Sequence, residues 1–192
     1  MKRIYTYGLL VCTSLPAFAK TIEANQHRSI TEAVTLSSNG DTVLVTAGEY
    51  KEHGLIINKS IVLKGIGHPV IDGESKYEVV SITADNVILD GFTVINSGSS
   101  AIEDYAGIKI VNSKNVVIRN NILKNNFFGI YSQYGIRCHI ENNHISSNAV
   151  SEQLSGNGIH CWKSDSMYIT GNTISGHRDG IYFEFVTNSI IW

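Results

Sequence analysis

The chain has 192 residues, with 15 Lys and Arg against 17 Asp and Glu for a formal charge of −2. That length suits one domain with a substantial core. The charge leaves no electrostatic basis for binding nucleic acid or an anionic membrane surface. With 17 glycines, two prolines and abundant Asn, Ile and Val, the composition points to turn-rich β structure rather than helices.

The first segment reads as an export signal. Lys2-Arg3 supply a basic start, Ile4 to Leu15 an apolar stretch, and Ala17-Phe18-Ala19 a small-x-small cleavage site. Residues 1–19 are therefore expected to be removed before Lys20, sending residues 20–192 to the periplasm as one domain. No later segment is long and apolar enough to span a bilayer. Ser29-Ile30-Thr31-Glu32 then has the spacing of a helix capping box, followed by Ala33, Val34 and Leu36 on one face, which predicts a short N-terminal capping helix. "GDTVLVTAGEY" and "SIVLKGIGHPVIDG" read as the first strands.

From residue 107 the chain repeats. Gly107-Ile108, Gly129-Ile130, Gly158-Ile159 and Gly180-Ile181 open four units that align without gaps, their starts 22, 29 and 22 residues apart. Each carries an Ile eleven positions after its Gly (Ile118, Ile140, Ile169, Ile191). Three carry an Asn after fourteen (Asn121, Asn143, Asn172). An earlier copy is visible in "ADNVILDGFTV", where Leu89 matches Ile118 and Val94 matches Leu123. A period near 22 with short β-prone runs is what one coil of a right-handed parallel β-helix requires, about 4.8 Å from the next coil. Roughly seven coils are expected.

The Asn row is placed at a bend, where its amides stack and the αL conformation is tolerated. The extra residues between Asn148 and Gly158 read as an inserted loop. Cys138, Cys161 and Met167 fall on inward positions, which predicts buried free thiols rather than a disulfide. The fourth unit stops at its Ile191 position, so the pattern predicts a chain lacking its last coils and their cap.

"GDTVLVTAGEYKEHGLIINKSIVLKGIGHPVIDG", "NGIHCWKSD" and above all "GHRDGIYFEFVTNS" resemble the NosD family, periplasmic maturation proteins of nitrous oxide reductase. The resemblance runs from Ile22 to the last residue. It implies a non-enzymatic β-helix that works with the membrane and ATPase subunits of an ABC transporter and a copper chaperone. Its task there is assembly of the reductase's copper–sulfide centre. Copper is the metal it implies, but no ligand set is assigned and no catalytic residue or bound cofactor is expected. Family members continue past the point matching Trp192 with coils rich in His, Tyr and Met.

The expected partner-contact face comprises His160, Trp162, His177, Arg178, Asp179, Tyr182 and Glu184. Tyr131, His160 and Tyr182 share an outward coil position, with Trp162 and Glu184 two residues on, so an exposed row is predicted. The spacing of His177-Arg178-Asp179 also fits a tight turn in which Asp179 accepts backbone N–H bonds and pairs with Arg178. The alternative function is a carbohydrate-binding or polysaccharide-cleaving β-helix. That chemistry calls for paired carboxylates, and Asp85, Asp90, Asp104, Asp165 and Asp179 are dispersed along the chain.

Overall fold

The computed structural model describes residues 19–25, 27–100, 102–151 and 154–192. The leader expected at residues 1–19 lies, apart from its last residue, outside the described part. The rest is a right-handed parallel β-helix of three sheets with one helix, as the repeat predicts. The first sheet has eight strands and the other two have six each.

One coil shows the plan. Ala106–Val111 lies in the second sheet, Val117–Arg119 in the first and Ile122–Lys124 in the third. The chain then climbs to Phe128–Gln133 and begins again. The pairing between coils is parallel and follows the alignment read from sequence. Leu89, Ile118, Ile140 and Ile169 pair in succession in the first sheet, and Val94, Leu123 and Ile145 do so in the third. All seven are buried, so the apolar rows form the inner wall of the coil.

The glycines that open the second and third units have a steric cause. A Cβ on Gly129 would collide with the carbonyl of Gly158 directly above it, and one on Gly158 would come within 2.7 Å of the Gly180 carbonyl. Consecutive coils approach too closely there for any side chain.

The Asn row stacks as expected, but its role differs. Asn121 accepts at Oδ1 from the Phe92 N–H at 2.9 Å. It donates from Nδ2 to the Leu89 carbonyl at 3.2 Å and to Asn143 Oδ1 at 3.0 Å. The αL conformation falls one residue earlier, at Asn120, Asn142 and Gly171. The row itself is turned inward to satisfy buried backbone, which would be impossible if its residues made the bend themselves.

Helix α1 (Ile30–Leu36) covers the N-terminal end of the coil and buries Ile30, Ala33 and Val34. Half of the predicted capping box forms: the Glu32 N–H donates to Ser29 Oγ at 3.0 Å, while the Glu32 carboxylate turns to Arg28 at 3.7 Å. The first N–H groups, of Ile30 and Thr31, donate instead to the carboxylate of Glu52 at 2.8 and 2.9 Å. At the other end Lys59 Nζ donates to the carbonyls of Val34, Thr35 and Ser37 at 2.7–3.0 Å. Both helix ends are thus held by charges of the right sign from the coil beneath.

Cys138, Cys161 and Met167 are buried inside the coil, and both thiols are free. Burial pushes both thiols up, away from the thiolate form.

Candidate functional site

Lys109, Tyr131, His160 and Tyr182 stand in register on the outer face of the second sheet. The row exists, but it is not exposed throughout. Tyr182 is 42% exposed, whereas Tyr131 is 4% and His160 9%. The cause is a second apolar cluster outside the coil. Phe128 stacks on Tyr131 at 5.3 Å between centroids and meets His160 edge-on at 5.4 Å. Ala106 joins them, with Phe127 and Trp162 packed alongside. Position in the repeat says which side of the sheet a residue takes, and says nothing of what loops lay over it.

Two loops do so, through the described residues of 96–105 and 147–158. Between them lies a cleft of about 590 Å³ lined by Asp104, Phe127, Phe128, Leu154, His160 and Arg178. The 147–158 loop is the insertion read from the repeat. The 96–105 loop is signalled only by the Ser-Gly-Ser-Ser run at 97–100, and the cleft needs both.

Inside the cleft three residues form a chain. Arg178 Nη2 donates to Asn157 Oδ1 at 3.1 Å. Since Arg can only donate, this fixes the Asn157 amide and turns its Nδ2 toward His160 Nδ1, 3.3 Å away. The amide must donate there, so His160 Nδ1 accepts and the ring proton sits on Nε2. That N–H is buried without a partner, and Glu184 Oε2 is 3.8 Å away, beyond hydrogen-bond distance. Burial pulls the His160 pKa below the ordinary histidine value, against the opposing pull of Glu184 and Asp104. The imidazole is therefore a neutral donor.

The contact face read from sequence divides into three parts. His160, Arg178, Tyr182 and Glu184 belong to the cleft and its rim. Trp162 lies beside Tyr134, ring centroids 5.0 Å apart, with Lys163 Nζ 4.4 Å from the Trp162 ring. His177 turns the other way. Its Nδ1 lies 3.2 Å from Ser155 Oγ, in a separate pocket of about 250 Å³ beneath the inserted loop, and burial lowers its pKa too. His177-Arg178-Asp179 is thus not one cluster. Asp179 pairs with Arg178 at 3.2 Å, but among the described residues its carboxylate accepts none of the backbone N–H bonds that the turn reading expects.

Asp104 and Glu184, distant in sequence, both lie within electrostatic reach of Tyr131 and His160. Beside them Lys109 bridges Glu78 at 3.4 Å and the Asp104 carbonyl at 3.0 Å, with its Nζ 5.3 Å from the Tyr131 ring centroid. Glu78 Oε1 is buried without a partner, and burial pushes the Glu78 pKa up to about 7. None of Glu78, Asp104, Asn157 or Phe127 stands out in the repeat pattern, because they lie in loops or at strand ends.

With this geometry in view, comparison with known proteins decides the kinship. The sequence profile described as "Periplasmic copper-binding protein (NosD)" matches residues 33–191. The chain belongs to the NosD family. A curated relative, a cell surface glycoprotein of Methanothermus fervidus, is 30% identical over 100 residues, which are 52% of this chain and 16% of that protein. Among solved structures, the alginate lyase of Paenibacillus sp. str. FPU-7 superposes with a TM-score of 0.69 at 16% identity, covering 90% of this chain and 66% of that one. The polygalacturonase of Erwinia carotovora ssp. carotovora gives 0.69 at 16% identity, with 96% and 64% covered. At that identity the two structures establish a shared fold. This chain spans about two thirds of each.

The described residues do not fit a resident copper centre of the kind the NosD description suggests. Copper favours thiolate, thioether and imidazole ligands. Here the sulfur atoms are sealed in the coil, the thiols are held protonated, and His160 Nε2 carries a proton. Among the described residues no three His, Cys, Asp or Glu side chains come together in a metal-holding group. No helix of the described residues is long and apolar enough to cross a membrane.

Proposed function

We propose that this NosD-family chain is a non-enzymatic periplasmic accessory protein that supports assembly of the copper–sulfide centre of nitrous oxide reductase. In this reading it acts with an ABC transporter and a copper chaperone. The observation that carries the proposal is the family match along residues 33–191. Copper enters as cargo of the assembly route rather than as a group held by these residues. The surface offered to partners is the rim of the cleft, where Arg178 and Tyr182 are exposed and Asp179 and Glu184 partly so, together with the neighbouring Trp162.

Complementation of a denitrifying host that lacks its own copy of this factor tests the reading. The host's reductase is purified and its copper and sulfide content measured. A restored centre supports the accessory role. An empty reductase, in cells whose periplasm contains the folded chain, overturns it.

A further inference from the structure

We infer that the cleft over the second sheet is a binding site for a neutral oligosaccharide. This goes beyond the accessory role and does not depend on it.

The cleft of about 590 Å³ adjoins a second of about 310 Å³. They share Ser99, Phe127 and Leu154, so the two form one groove that passes the Phe127 ring. A groove open along its length suits a chain molecule better than a compact one.

One half of the groove is lined by the Phe127 ring and by Phe128, whose ring stands perpendicular to it with centroids 5.1 Å apart, with His160 and Arg178 as donors and Asp104 as acceptor. The other half is lined by the hydroxyl and amide groups of Ser75, Asn125, Ser147 and Asn148. A sugar ring has apolar C–H faces that lie flat on aromatic rings and a rim of hydroxyls that both donate and accept. A ligand groove that combines an apolar platform with a few placed polar groups is complementary to it. The buried His160 N–H without a partner is the strongest single sign. An unpaired buried donor is unfavourable until an acceptor oxygen reaches it, and the Arg178–Asn157 chain holds the proton on that nitrogen.

Charge separates this groove from the substrates named for the alginate lyase and polygalacturonase. Asp104 has no cation within salt-bridge distance among the described residues, and Glu184 has only the neutral His160. Arg178 is already paired with Asp179, and Lys109 with Glu78. Asp104, Asp179 and Glu184 therefore outnumber Arg178 and Lys109 around the opening, which disfavours a polyuronate. A chain of uncharged sugars meets no such barrier.

Isothermal titration of the purified chain with cellohexaose, chitohexaose and hexagalacturonate tests the inference. At least one neutral hexamer is expected to bind, and hexagalacturonate at least tenfold more weakly. Asp104→Ala and Arg178→Ala, both at exposed positions, should each weaken neutral-sugar binding tenfold or more while leaving the melting temperature near that of the parent. His160→Phe, which keeps a ring but removes the N–H, should do the same. The proposal is overturned if no neutral hexamer binds at millimolar concentration, if hexagalacturonate binds more tightly, or if all three variants bind as the parent does.

Discussion

Asn143 holds Asn121 twice: its Oδ1 accepts from both the backbone N–H and the Nδ2 of Asn121, each at 3.0 Å. Asn143 in turn donates from its own N–H and Nδ2 to Asn172 Oδ1, both at 2.9 Å. Each amide thus satisfies the coil before it and is satisfied by the coil after it. Asn143→Leu keeps the branched side-chain skeleton but leaves the buried Asn121 N–H and one Nδ2 hydrogen of Asn121 without an acceptor. At about 1–3 kcal/mol for each unmet buried group, a loss of roughly 2–6 kcal/mol is expected in urea unfolding. Asn172→Leu, at a half-buried position nearer the open end, should lose less. Equal losses at the two sites would contradict the ladder.

Glu78 should make the protein less stable as pH rises. Its carboxyl is pushed up to about 7 in the folded chain from an ordinary value near 4.5. Between those two values the folded state binds the proton more tightly than the unfolded state, so stability falls as pH climbs from 4.5 to 7 and is level above. With Lys109 retained as its partner, the effect is about 2–3 kcal/mol. Glu78→Gln removes the titration. Relative to the parent, the variant should gain about that much between pH 5 and pH 8 in chemical denaturation at each pH. A constant difference across that range would show that Glu78 is not held protonated.

The coil was legible in the sequence because its causes are local and recur: a glycine where coils touch, an isoleucine inside, an asparagine over a buried carbonyl. Register read from Leu89 and Val94 matches the observed pairing strand for strand. The site was legible only in part. His160 and Tyr182 were placed on the correct side of the sheet, but the cover over His160 comes from Phe128, one residue outside the aligned unit, and from two loops that break the period. Asp104 meets His160 only because the 96–105 loop folds back over a later coil. That is a long-range contact with no trace in the spacing. His177 and Arg178 are adjacent in a bend and both line the pocket beneath the inserted loop, yet only Arg178 also reaches the cleft over His160.

His160 and His177 should act on stability in the opposite sense to Glu78. Burial lowers both pKa values in the folded chain, so the unfolded chain takes up protons first as pH falls. Stability is then complete above about 6.5 and declines below it. His160→Phe should flatten part of that decline, and adding His177→Leu should flatten more, in melts recorded at half-unit steps from pH 7.5 to 5. NMR titration of the ring protons provides an independent check. Both imidazoles should titrate below the ordinary histidine value, and a titration midpoint at or above 6.5 for His160 would remove the basis for treating it as a neutral donor.

The sulfur atoms supply the test of where copper is not. Cys138 and Cys161 are sealed in the coil with their thiols held protonated, and Cys138 Sγ donates weakly to the carbonyls of Ser113 and Ile136 at 3.6 and 3.5 Å. A thiol reacts with a disulfide reagent as its thiolate, and only where the reagent can reach it. In native buffer neither cysteine of residues 20–192 should react with Ellman's reagent over minutes, and both should react at once in strong guanidinium. Cys138→Ser together with Cys161→Ala should leave copper(I) uptake by the folded chain unchanged. If the parent takes up copper(I) stoichiometrically and this variant does not, the sealed coil would have to open to admit the metal, and the sulfur atoms would become its ligands.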